Sequence, residues 1–471
     1  MDKSPNSVAV MTTPLMDPSL VAGSVLADEA SGIVPPSTPN GEDASGGTPS
    51  SLKGFLPAEP ASLEDCGLTG PDVENLLLRL LLFRGTATSW AATENCGLPR
   101  PLVLEAFERL RAELLVSIKG SSGLEDYVFQ LTEAGHDHAR RLSEQCTYAG
   151  VAPVSLEAYI DSVEQQSLKH SKITLADLKE TLHELKLTGA LLSQLGQAIN
   201  DGRGLFLYGP PGNGKTSVSE RVVSSFGEYV WIPHTVTIDG ELVRLYDPRS
   251  HVAVDEAEVK ELLGEFAWDR RWILIQRPTI VVGGELTMAQ LELQYNPSTG
   301  ICEAPVQMRA NCGALVIDDF GRQRMPASEM LNRLIVPMEK HYDFLNMASG
   351  RQVSTPFEML LVFSTNLEPG QLVDEAFLRR IPYKIEVASP SEEQFTELFL
   401  QLARSNECTC NPQVVEYLIE RHFRTKNRPL RYCHPRDLLR QITNLCDFTG
   451  VQKEVSRDTV DVAVHNYFAG L

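Results

Sequence analysis

The feature that most constrains this chain is the octapeptide Gly209-Pro210-Pro211-Gly212-Asn213-Gly214-Lys215-Thr216. It follows the apolar run Gly204-Leu205-Phe206-Leu207-Tyr208 without a break. A glycine-rich loop closed by Lys-Thr, between a strand-type run and a helix-type segment, is the arrangement that cradles a triphosphate. Glycines let backbone N–H groups converge on phosphate oxygens where side chains would collide. The helix that follows presents its positive end to the same place. Lys215 is placed to reach the β- and γ-phosphates, and the Thr216 hydroxyl to ligate magnesium. Gly209, Pro210, Pro211, Gly212, Asn213, Gly214, Lys215, Thr216 and Ser217 are therefore the candidate nucleotide-binding residues, with ATP and Mg2+ the expected ligands. A chance glycine turn is the competing reading. The strand, the prolines and the Lys-Thr pair, all in register, count against it.

Other runs end in residues of the right chemistry. Ala314-Leu315-Val316-Ile317 leads into Asp318-Asp319. Magnesium needs a carboxylate at the C-terminal edge of a buried strand beside the phosphate loop, so Asp318 joins Thr216 as a candidate metal ligand. A plain Asp-Asp turn is the alternative. Leu360-Leu361-Val362-Phe363-Ser364-Thr365 ends at Asn366, a residue that in isolation is usually a turn former. Asp374–Ile385 carries the pair Arg379-Arg380, and Cys433-His434-Pro435-Arg436-Asp437-Leu438-Leu439-Arg440 starts a late helix with Pro435 in its first turn.

Taken in order, the phosphate loop, acid pair, polar strand end, arginine pair and late-helix arginine resemble the AAA+ ATPases over roughly residues 170–450. The resemblance implies an α/β fold, the parallel sheet of P-loop NTPases with a C-terminal helical lid, and hydrolysis of ATP to ADP and phosphate. It puts Asp319 where the family usually has a glutamate that polarises the attacking water, one methylene shorter here. It gives Asn366 the task of orienting that water. Arg379 or Arg380 becomes an arginine finger for the nucleotide of a neighbouring subunit, a job suited to a permanently charged, forked donor. Arg436 becomes the lid residue that touches the phosphates. The family habit implies a homo-oligomeric ring, often a hexamer, that remodels a protein substrate, with a DNA-directed regulator or motor and a nucleotide-dependent scaffold of little turnover as the alternatives. Gly300–Gly313 and Leu334–Pro356, the latter read as a helix and a hairpin, are similar to elements of MoxR-type chaperones, enhancer-binding activators and replicative-helicase relatives. In those groups inserted hairpins face the central pore. The gap of 103 positions between Lys215 and Asp318 leaves room for a further insert, with Val236–Arg244 and Ile280–Gly284 as its candidate strands.

The remaining sequence divides by composition. Residues 1–65, rich in Pro, Ser, Gly and Thr, read as a disordered tail that buries too little surface to offset chain entropy. Residues 66–150 read as helices at Val73–Phe83, Thr88–Cys96 and Pro101–Leu115. Strands at Val116–Ile118 and Tyr127–Leu131 follow, then a helix capped by Thr132. That order is a winged helix, and Tyr127–Gly135 resembles the wing end of bacterial winged-helix regulators. A helical linker (151–200), the ATPase core (201–388) and the lid (389–471) complete the division. Across 72–144 there are 11 acidic and 8 basic side chains, and the whole chain carries a net charge of −20. Both disfavour a phosphate-binding surface, so protein docking is the expected role of the winged helix and DNA binding the alternative. No run is long and apolar enough to suggest membrane insertion. The odd number of cysteines, nine, suits a reducing cytoplasm better than a disulfide framework. The Cys408-Thr409-Cys410 spacing fits ordinary zinc sites poorly.

Overall fold

A computed structural model of the protein describes residues 54–469 apart from Leu124, Glu125 and Lys186. Five short strands form one parallel sheet: β1 (Leu205–Tyr208), β2 (Thr279–Val282), β3 (Ala314–Ile317), β4 (Leu360–Thr365) and β5 (Tyr383–Glu386), in the order β2-β3-β4-β1-β5. Every residue of β3 and β4 is buried, as strands covered by helices on both faces must be. One face packs on Leu195 and Ile199 and on Val218 and Val222 of the helix after the phosphate loop. The other packs on Met330, Leu331 and Leu334 of helix Ala327–Lys340. The register sets Ile317 beside Phe363 and Thr365 beside Tyr208. The C-terminal ends of β1, β3 and β4 therefore emerge together, where parallel α/β sheets bind ligands. The fold class is the expected one, an α/β P-loop sheet, and the chain closes in helices Glu392–Ser405, Cys433–Thr449 and Arg457–Tyr467.

Two strand expectations need correction. Thr279–Val282 is not part of an insert but β2 of the main sheet, hydrogen-bonded along β3. A short apolar run carries no mark of which sheet it joins. Val236–Arg244 is two strands, Thr235–Ile238 and Glu241–Arg244, turned at Asp239 (φ 50) and Gly240 (φ 83), the mirror-image turn that hairpins favour. They belong to a second sheet completed by Gln294–Asn296, Ile301–Glu303 and Val154–Ser155. Val154–Ser155 pairs in parallel with Val236–Thr237, and Leu192, Leu195 and Ile199 lie in the sheet core. Residues 151–200 are thus built into both sheets and are not a free linker. The hairpin read in Leu334–Pro356 forms from Tyr342–Asn346 and Gln352–Pro356. It exposes Tyr342 and Phe344 and buries Asp343, which accepts from Arg333 Nη1 at 2.7 Å and from Gln307 Nε2 at 3.0 Å.

Residues 70–145 form helices Gly70–Arg84, Ser89–Cys96, Arg100–Ala112 and Glu133–Gln145. Between them a three-stranded sheet runs Thr86–Thr88, Tyr127–Leu131, Val116–Ser121. The Thr132 hydroxyl caps the last helix by accepting from Gly135 N at 3.0 Å. The tail expected over 1–65 lies outside the described residues up to position 53. Beyond that it is held: Phe55 meets Trp272 at 4.8 Å between ring centroids, and Ala58 pairs with Trp268. The partners lie some 200 positions away, so local composition gives no hint of them. Among the described residues no helix is long and apolar enough to cross a membrane.

A buried ion pair staples the N-terminal part to the rest. Arg271 and Asp269 are each 3% exposed and meet at 2.7 Å. Arg271 Nη1 also donates to Cys66 O at 2.7 Å and Pro153 O at 3.1 Å. Removing one partner leaves a buried charge alone, whereas removing both does not. Arg271→Ala is therefore expected to cost about 3–5 kcal/mol in denaturant unfolding, and Asp269→Leu combined with Arg271→Met far less. Equal losses in the two proteins would contradict this account.

Candidate functional site

The phosphate loop is shaped by what its glycines leave out. Gly209 (φ 132) has room for no side chain, since a Cβ there would lie 2.7 Å from Val387 O. Gly212 (φ 80) packs against the lid so closely that a Cβ would meet Cys433 Sγ at 2.5 Å. At the far end Gly214, in the left-handed region, opens helix Lys215–Val222. Among the described residues the amides of Gly212 and Gly214 have no protein acceptor, which leaves them free for an anion.

Polar contacts tie the ends of β3 and β4 to this loop, which itself continues from β1. Lys215 Nζ donates to Gly209 O at 2.9 Å, Pro210 O at 3.1 Å and Asn366 Oδ1 at 2.7 Å. Asn366 Nδ2 in turn donates to Asp319 Oδ1 at 3.2 Å, and Thr216 Oγ1 to Asp318 Oδ2 at 2.9 Å. Burial pushes the Lys215 ammonium below the usual lysine range, while Asp318 and Asp319 pull it back up. Neutral carbonyl and amide oxygens thus accept from a desolvated cation, and phosphate oxygens would replace these acceptors with gain. The Thr216–Asp318 pair likewise offers the hydroxyl and carboxylate that a hydrated magnesium ion takes.

Beyond Asp318 the chain turns sharply. Asp319 adopts φ 49 and its amide donates to Asp318 Oδ1 at 2.9 Å. Aspartate tolerates the left-handed region better than most residues, which gives the shorter acid a backbone rationale. Gln323 Nε2 holds the turn by donating to Asp318 O at 2.9 Å and Asp319 O at 3.3 Å. Nothing in the sequence marked Gln323, because its partners are backbone carbonyls.

The loop and acids form one side of a cavity of about 460 Å³. Leu185, Leu187, Leu398, Leu402 and Tyr432 form an apolar wall on the other side, suited to a planar base. The lid touches the loop directly: Cys433 N donates to Gly212 O at 2.9 Å, and Tyr432 N to Asn213 Oδ1 at 3.4 Å. Asn213 Nδ2 reaches Val387 O at 3.2 Å. Pro210, the carbonyl partner of Lys215, lies in the loop, and Pro211, Ser217 and Arg436 line the cavity. The Arg436 side chain, 74% exposed, pairs with Asp437 at 3.1 Å. Arg431, missed in the sequence, donates to Ser389 Oγ at 3.3 Å beside the loop. Arg379 and Arg380 stand apart from this cavity, paired with Glu375 at 2.8 Å and Glu339 at 2.7 Å.

Residues 391–466 match a family described as a domain of unknown function, DUF8689. No curated protein matches the chain. Among solved structures, the RuvB Holliday junction branch migration motor of Thermotoga maritima is similar over 62% of this chain and 73% of that one, at 14% identity and a TM-score of 0.35. NtrX from Brucella abortus matches over 62% of this chain and 59% of that one, at 14% identity and a TM-score of 0.37. Its complex with ADP gives the same identity and TM-score over 58% of that chain. At such low scores these likenesses carry no weight beside the site's own geometry.

One buried residue beside the site, His434, is expected to make stability depend on pH. His434 is buried among Phe423, Tyr467 and Phe468, with Nδ1 unpaired. Burial pushes it down to about 4, with Arg431 adding to the effect and Asp437 opposing it. The unfolded value is about 6.5, so the unfolded chain binds the proton more tightly. The stability His434 contributes is present above about 6.5 and is lost as pH falls toward 4. His434→Phe should flatten the fall in melting temperature over that window and preserve nucleotide affinity at the acidic end. An unchanged pH profile would refute this. Some acid sensitivity will persist through His234, also held at about 4 by burial.

Proposed function

We propose that the chain is a magnesium-dependent ATPase of the AAA+ type that acts as a homo-oligomeric ring on a protein substrate. The supporting observation is the linked set Lys215–Asn366–Asp319 and Thr216–Asp318, gathered from three adjacent strand ends onto one cavity. Thr216 and Asp318 would hold magnesium, whose charge offsets that of the phosphates. Asp319 accepts a proton from the attacking water while Asn366 fixes its direction. Lys215 exchanges its carbonyl partners for phosphate oxygens, and charge growing in the transition state falls on Lys215 and on Arg436 swung in from the lid.

Arg379 and Arg380, exposed at a helix end away from their own cavity, are the groups available to a neighbouring site. Lys215→Ala should abolish ATP turnover. Arg379→Ala or Arg380→Ala should lower turnover far more than nucleotide binding. Mixing an arginine variant with Lys215→Ala should restore part of the activity, since each supplies at a shared interface what the other lacks. A wild-type rate in Lys215→Ala, or full activity in a strictly monomeric protein at high dilution, would sink the proposal.

For the winged helix of residues 66–150 we favour protein docking or ring assembly. On its candidate recognition helix Arg109 is engaged by Glu74 at 2.5 Å and Glu105 at 2.6 Å, and so is not free for phosphates. Lys119, Arg140 and Arg141 are the basic side chains that could still serve a DNA role. Fluorescence titration of the full chain with duplex DNA across salt concentrations should give weak binding. Submicromolar affinity at physiological salt that falls steeply with added salt would instead establish the DNA role.

A further inference from the structure

A second cavity, of about 450 Å³, lies at the junction of the N-terminal helices and the second sheet. It shares no lining residue with the nucleotide cavity. Helices Gly70–Arg84 and Glu133–Gln145 form one side. The Gly240 turn, the Gly300 turn and Ala348 at the tip of the aromatic hairpin form the other.

Among its described lining residues Arg79 is the one cation. Its Nε is sealed from solvent without a partner, and its guanidinium makes no hydrogen bond or ion pair with a described residue. The two carboxylates in the lining are already committed to other donors. Asp72 accepts from Thr69 N at 2.8 Å and Thr69 Oγ1 at 2.5 Å. Glu241 accepts from Ala348 N at 3.1 Å and Ser349 N at 2.9 Å. Asn75 and Gln145 bring amide groups to the same wall. A half-buried guanidinium without an acceptor is costly, and a planar oxyanion is the group that matches its fork.

We propose that this cavity binds a small molecule bearing a carboxylate or phosphate group, paired with Arg79 and assisted by Asn75 and Gln145. A ligand there touches the N-terminal helices, the second sheet and the hairpin tip at once, so its binding fastens the three together. The proposal does not rest on the nucleotide reading.

Isothermal titration of the full chain with inorganic phosphate and, separately, with succinate tests it. Arg79→Met and Asn75→Ala are compared with wild type after melting curves without ligand establish that each folds. Phosphate captured by the nucleotide cavity appears equally in all three proteins, so the difference between proteins reports this cavity. Binding of at least one probe should weaken about tenfold or more in Arg79→Met, a loss on the scale of one charge-assisted pair, and by less in Asn75→Ala. Loss of phosphate binding alone would assign a phosphoryl ligand, and loss of succinate binding alone a carboxylate. Equal binding by wild type and Arg79→Met, or no binding of either probe by wild type, overturns the proposal.

Discussion

The placement of one ammonium group organises the site. Lys215 Nζ sits between two carbonyls of its own loop and the amide of Asn366, which fixes the loop relative to the end of β4. That contact is possible only because β4 lies beside β1 with Thr365 opposite Tyr208. A one-residue slip would turn Asn366 to the other face. The acid pair is set by the same logic one strand further on, through the β3–β4 register. The chemistry thus hangs on two parallel registers, and those on β3 and β4, every residue of which is buried.

The legible parts of this fold were those in which chemistry and local pattern coincide. Gly209–Thr216 declares both its conformation and its charge. Asp318-Asp319 and Asn366 follow apolar runs that end abruptly. The helix cap Thr132 is local and was readable as well. The parts that escaped notice depend on distant partners. Thr279–Val282 is as apolar as any inserted strand, and only its pairing with β3 gives it a place. Val154–Ser155 is too short to announce a strand and becomes one because Val236–Thr237 offers a free edge. Phe55 belongs to an aromatic cluster whose other members lie far along the chain. Gln323 and Arg431 act on backbone or hydroxyl groups, which leave no trace in a residue pattern.

The N-terminal part is bound to the second sheet and to the start of strand Trp272–Gln276, not to the sheet that carries the phosphate loop. Arg271 joins Cys66 O and Pro153 O, and Thr147 N donates to Thr299 O at 2.9 Å. Residues 151–200 run between the two sheets and contribute to both. The N-terminal helices and the phosphate loop are therefore joined through packed elements and not by a loose tether.

The hairpin of Tyr342–Asn346 and Gln352–Pro356 has a mechanical consequence. Its outward rings, Tyr342 and Phe344, flank Asp343, whose carboxylate is gripped by Arg333. Arg333 stands on helix Ala327–Lys340, which begins shortly after the acid pair. A pull on either ring would pass through one residue into that gripped carboxylate, and so into the middle of the helix rather than its end. The hairpin is therefore braced near its root by an ion pair and is not held by its strands alone.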